Sequence, residues 1–295
     1  MTNEEKKIIE SSNYEVIVVI GNGFDVNLGL KTKYSDFIQS SAFQEEMISN
    51  SLFQYLFTQY TQNNGWIDAE IELKNYTKSN PENYHEEFKI LKQKLTQYLR
   101  KTTNPESIDY KKIHTIETEA LKIMRDIKDM NFLILNFNYT NTCEDILFHL
   151  YHGNNELYQN AKKRIIHVHG SIENNDIIFG IEDKANIDEK YIFLKKSVNP
   201  NFCILDVETI LQRNSEDILF FGYSLGVTDY TYFKDFFARL SLYSIESGKS
   251  VIIFYYGQIN YFDIHKRIDE MSNKSISGIK QRNELLLIDL QEVTA

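Results

Sequence analysis

Cysteine and proline are scarce in this chain of 295 residues, with two cysteines, Cys143 and Cys203, and three prolines. Two thiols cannot furnish a four-thiolate zinc site or a disulfide framework, and they fit a reducing compartment as ordinary half-buried residues. So few prolines, with no Gly/Ser tract, leave no flexible linker. Positive charge is short as well: 32 Lys and Arg stand against 42 Asp and Glu, for a net charge of -10. No dense basic run occurs, which argues against a general binder of phosphate backbones. Long apolar runs are missing too. VIVVI and VIIFYY are of strand length, and the opening MTNEEKKIIESSNYE has neither an apolar core nor a small-residue cleavage site. These absences predict a soluble, cytoplasmic protein without a membrane span and without nucleic acid as a partner.

What the chain does have is core-forming material, 42% hydrophobic and 13% aromatic. Apolar runs at 15–20, 132–135, 164–168, 177–179, 218–221, 251–256 and 285–288 predict strands. Most are continuous rather than alternating, as expected where both faces are covered. Helical spacing marks 34–60, 88–99, 113–130 and 229–247, the last with Thr228 as an N-cap. The alternation predicts an α/β fold, Rossmann-like, with a mainly parallel sheet and flanking helices. The stretch from 34 to 130 far exceeds the dozen or so residues that a crossover needs. It predicts a large helical insertion after the first strand of a single domain spanning 1–295. No internal repeat is visible.

The first strand runs into GNGFDVNLGL, residues 21–30. A turn there lies outside the carboxyl end of the strand, where open α/β sheets bind ligands. Gly21 and Gly23 permit close backbone approach, and a following helix N-terminus offers N–H groups to phosphate. The G-x-G-x5-G spacing, closed by Gly29, departs from the dinucleotide fingerprint, so a bare structural turn is the competing reading. Asp25 would repel phosphate unless it holds ribose hydroxyls or a metal. Four more polar loops follow predicted strands: NFNYTNT at 136–142, His169-Gly170-Ser171, Gly180 with Glu182 and Asp183, and Gly222-Tyr223-Ser224-Leu225-Gly226 before Asp229. A parallel sheet would bring them to one edge.

IGNGFDVNLGLKTKYSDF, FNYTNT, HVHGSI, IIFGIED and FFGYSLGVTDYTYF together, in this order, resemble the bacteriophage abortive infection family AbiH. Trp66-Ile67-Asp68-Ala69-Glu70 resembles that family's tryptophan–acidic segment. The resemblance implies a role in antiviral defence, with a phage trigger or protein partner to be identified and homo-oligomerisation open. A looser likeness is to sirtuin-like defence NAD hydrolases, whose glycine spacing is kept from Gly21 through Asn22, Gly23, Phe24 and Asp25 to Gly29. Their later motifs are matched by Asn138-Tyr139-Thr140, by His169-Gly170, and by Gly222-Tyr223-Ser224 with Asp229. That likeness implies NAD or a related nucleotide as ligand or substrate, no further cofactor, and Asn138 and His169 as catalytic residues. Asp25, Thr140 and the position of Asp229 depart from the pattern, and the cysteine-based zinc module of deacetylases is absent.

Each residue has a structural reading beside the chemical one. Asn138 suits a turn and His169 a satisfied core position. His167 and His169 share a strand face, the spacing of a metal pair without a third ligand nearby. His149 and His152 fit a helix surface, Asp229 a helix start, and Ser224 lacks nucleophile-elbow spacing. Three further readings compete with NAD hydrolysis: a nucleotide sensor without turnover, a metal-dependent nuclease effector, and a structural partner with no ligand.

Overall fold

The fold is a computed structural model, and it describes residues 3–65, 67–104, 118–202, 205–213, 215–226, 230–243 and 250–293. β1 (Tyr14–Ile20), β2 (Phe132–Asn136), β3 (Ile165–His167), β4 (Ser215–Phe221), β5 (Ser250–Tyr255) and β6 (Glu284–Asp289) form one sheet. All its pairings are parallel, and the strand order is 3-2-1-4-5-6, a Rossmann-like arrangement. Register aligns the strand ends. Ile20 pairs with both Asn136 and Phe221, and Asn136 pairs with His167. The carboxyl ends of β3, β2, β1 and β4 are therefore level, and their loops begin at one height.

The continuous apolar runs are explained by a core on each face. Ile17, Val19, Leu133, Leu135, Ile218 and Phe220 share one cluster, and Val16, Val18, Ile20, Phe132 and Ile134 share the other. This is the period-2 alternation of a strand, with both of its faces apolar.

Before the sheet comes α1 (Asn3–Ser11); after β1 comes the short α2 (Gly23–Asn27). The helical spacing at 34–60 resolves into three helices, α3 (Tyr34–Ile38), α4 (Ser41–Glu46) and α5 (Ser51–Gln62), rather than one. Polar caps cut it: Ser40 Oγ accepts from Phe43 N, and Asn50 Oδ1 from Leu52 N and Phe53 N. α6 (Ala69–Tyr76) begins at Asp68, which accepts from two amides, and α7 (Tyr84–Thr102) completes a helical layer. α8 (Glu119–Ile127) belongs elsewhere. Its Ala120, Leu121, Met124 and Ile127 pack on the sheet, so it is a crossover helix and the insertion ends before it.

The predicted strand at 177–179 is not one. Ile177 and Phe179 are buried against the insertion instead, Phe179 stacking on Phe88 at 5.8 Å between ring centroids. Their backbone bonds irregularly, as in Ile178 N to His169 O at 2.7 Å. A short apolar run signals burial, and here helices rather than neighbouring strands provide it. α9 (Thr142–Leu150) and α10 (Asn155–Lys162) follow β2; His152 lies beyond the end of α9 in a left-handed conformation. α11 (Val207–Arg213), α12 (Tyr230–Leu242), α13 (Gly257–Met271) and α14 (Ile276–Arg282) cover the opposite face. Thr228, Cys203 and Trp66 lie outside the described residues, and Cys143 is fully buried rather than half-buried. Among the described residues no helix is long and apolar enough to cross a membrane.

Candidate functional site

The strand order reverses between β1 and β4, and outside their carboxyl ends lies a cleft of about 450 Å³. Its lining includes Gly21, Asn22, Gly23 and Asp25 after β1, Asn138 and Tyr139 after β2, His169 after β3, and Gly222, Tyr223 and Ser224 after β4. Four of the five polar loops thus meet. The fifth, at Gly180, Glu182 and Asp183, contributes nothing to the cleft, because the run before it never joins the sheet.

The glycine turn is bare for a local reason. A Cβ on Gly23 would stand 2.5 Å from Gly222 Cα, and one on Gly222, at φ +61°, would stand 2.3 Å from Phe24 N. Such distances leave no room for a side chain, so the close approach is between the β1 and β4 loops themselves. Gly23 N donates to Gly222 O at 2.8 Å, Gly21 N to Phe221 O at 3.0 Å, and Phe24 N to Gly21 O at 2.9 Å.

Three expected ligand residues have other roles. Gly29 stops α2: its N–H donates to Val26 O and that of Leu30 to Asp25 O, with Gly29 at φ +83° in the left-handed position of such a cap. Phe24 is buried edge-on against Phe221 at 5.9 Å. Gly170, at φ +69°, forms the turn on which Ser171 N donates to Asp176 Oδ1 at 2.7 Å. None of the three lines the cleft. Asp229 lies outside the described residues.

Asn138 and His169 do come to one cleft. The Asn138 N–H donates to Asn136 Oδ1 at 2.9 Å, an Asx turn made by the side chain of Asn136 rather than that of Asn138. The Asn138 Nδ2 donates to Gly21 O at 3.1 Å, clamping the β2 loop to the β1 loop through the nitrogen of the amide. His169 is buried edge-on to Phe137 at 5.3 Å, with Tyr232 at 6.0 Å.

Beneath them runs a buried polar chain. Asp25 is fully buried; Thr140 Oγ1 donates to its Oδ2 at 2.7 Å, while Oδ1 makes no hydrogen bond. Burial pushes its carboxyl up to about 6, against the pull of the Thr140 and Thr142 hydroxyls and with a small push from Glu144. His167 is no partner of His169. Its Nε2 lies 2.6 Å from Glu144 Oε1 and its Nδ1 3.3 Å from the Asn138 carbonyl. Burial opposes its charge, but the Glu144 hydrogen bond and carboxylate outweigh that, and its pKa is raised. His167 thus braces the Asn138 loop from below. Among the described residues no three His, Cys, Asp or Glu side chains group as a metal site.

The insertion supplies a wall for which the sequence carries only a weak signal: Tyr34, Asp68, Glu70, Leu95 and Leu99. Asp68 caps α6, and Glu70 pairs with Lys196 at 3.0 Å, both ends nearly buried. Periodicity assigns Leu95 and Leu99 to a helix but cannot say that it leans over the sheet edge. A family model, that of bacteriophage abortive infection AbiH, matches residues 17–255, from within β1 to the end of β5. No curated protein and no solved structure matches the chain.

Proposed function

This chain belongs to the bacteriophage abortive infection family AbiH, and from that premise we propose that its cleft binds a nucleotide and cleaves it, NAD at the nicotinamide–ribose bond. Membership by itself implies the role in abortive infection. The observation that carries the rest is the meeting of Asn138 and His169, from loops after adjacent strands, outside the switch point of the parallel sheet. Nucleotides bind at that position in folds of this strand order. Strain lends support. Buried Leu225, between two residues of the cleft lining, holds a left-handed φ of +51°, a conformation that costs a bulky residue about 1–3 kcal/mol and gathers at functional sites.

In this reading the bond between ribose C1′ and the nicotinamide ring nitrogen breaks. Its electron pair leaves with nicotinamide, which departs as a neutral base. Water adds to the oxocarbenium-like C1′ and gives up one proton, so NAD and water yield ADP-ribose, nicotinamide and H⁺. His169 takes the proton, since imidazole titrates near neutral pH, and the Asn138 oxygen orients a ribose hydroxyl or the water.

The test is incubation of the purified chain with NAD, with nicotinamide release followed by chromatography beside His169→Ala. Release by the wild type alone is the expected result. NAD bound without release reduces the site to a sensor, and no binding of NAD or of ATP removes the nucleotide altogether.

A further inference from the structure

The floor of the cleft has a polarity of its own. Several of the backbone donors that would cradle a phosphate are already used. Gly21, Gly23 and Phe24 donate to carbonyls of the β1 and β4 loops, Phe137 N donates to Ile20 O at 2.9 Å, and Asn138 N is held by Asn136. α2 spans five residues, too few to act as an anion-binding helix. The buried side chains at the floor, Asp25 and Asn138, offer acceptors. Asp25 Oδ1 is buried and has no hydrogen bond, and the Asn138 amide keeps its oxygen because its nitrogen is bound to Gly21. Among the described lining residues Lys33 is the one lysine or arginine, and it is exposed. A phosphate is an acceptor with negative charge, so it meets repulsion here. A sugar diol is a pair of donors, and a ring cation next to it is drawn to a carboxylate.

We infer that the floor of the cleft takes the ribosyl group, with its hydroxyls donating to Asp25 and Asn138, and that the phosphates lie away from the glycine turn. The inference rests on the nucleotide reading and deepens it: the ligand class is a riboside with a cationic or neutral base, in which phosphate adds little affinity. A buried carboxylate with one oxygen left without a hydrogen bond is costly in a fold unless a ligand completes it, which is why Asp25 carries the assignment.

Calorimetric titration of the purified full chain with nicotinamide riboside, NAD and inorganic pyrophosphate tests it. Nicotinamide riboside is expected to bind within about threefold of NAD, since the shared riboside makes the floor contacts. Pyrophosphate at millimolar concentration is expected not to displace either. Asp25→Asn keeps the shape and removes the charge, and is expected to weaken both ligands by tenfold or more. Thermal unfolding of the variant checks that it folds, and the wild-type comparison needs no variant. NAD binding more than about thirtyfold tighter than the riboside, or displaced by pyrophosphate, overturns the inference and leaves the nucleotide reading standing. Unchanged riboside affinity in a folded Asp25→Asn overturns the role of Asp25. Binding of neither NAD nor riboside overturns the nucleotide reading itself, and the inference with it.

Discussion

The loops on the two sides of the cleft occupy equivalent places and do opposite work. After β1 and β4 the chain is rich in glycine, and those glycines let the two loops lie against each other at distances no side chain permits. After β2 and β3 the chain is polar, and Asn138 and His169 reach the cleft on a support of internal hydrogen bonds. Glycine in this turn reports chain meeting chain. In the proposed function the chemistry belongs to the neighbouring pair of loops.

The sharpest break of that comparison is at His169. In His169→Gln the loss of a base is expected to cut turnover by about 10²–10⁴-fold, close to 3–5 kcal/mol of barrier, with little change in riboside affinity. Steady-state kinetics of nicotinamide release would show it; a loss confined to KM would assign His169 to binding instead. Gly222→Ala attacks the other pair of loops. Its Cβ would meet Phe24 N at 2.3 Å from a φ of +61°, so about 3 kcal/mol of stability or more is expected to go. Urea unfolding measures it, and a variant as stable as wild type would mean that the two loops can part.

Much of the fold is legible in the residues alone. Strands β1, β2, β4 and β5 are each written in a continuous apolar run, because both sheet faces are covered there, while the run of β6 sits at the sheet edge with Leu286 exposed. At 177–179 the same signal misleads, since burial by helices and burial by strands look alike over three residues. Asn138 and His169 stand out as polar residues close after apolar runs, and the structure brings both to the cleft. Gly29 and Gly170 lie outside the cleft lining and a left-handed φ accounts for each, since local spacing cannot separate a helix stop or tight turn from a ligand contact. The buried pairing of Glu70 with Lys196 joins residues far apart in sequence, and no local pattern announces it.

Asp25 joins the two halves of the comparison, placed after β1 yet held by Thr140 after β2. Its folded pKa of about 6 stands above the ordinary 3.8, so the fold favours the protonated acid. That contribution is complete below about pH 4 and is lost as pH rises through 6, an amount of about 3 kcal/mol. Asp25→Asn is therefore expected to gain stability on wild type between pH 4 and 7 while losing riboside affinity, a trade of function for stability. Urea midpoints across that range, taken as the difference between the two proteins, decide it. A flat difference would mean that the carboxylate finds water or a partner in solution.

The smallest effect separates the third glycine from the other two. Gly29 is the left-handed residue that ends α2, and a Cβ there meets nothing within 4 Å. Gly29→Ala therefore carries only the backbone cost of that conformation, about 1 kcal/mol, and Gly29→Asn less, because asparagine tolerates it. Both variants are expected to bind nicotinamide riboside as wild type does. Calorimetry beside unfolding makes the distinction: affinity lost from either variant at unchanged stability would return Gly29 to the ligand site, and with it the phosphate-binding reading of the whole turn.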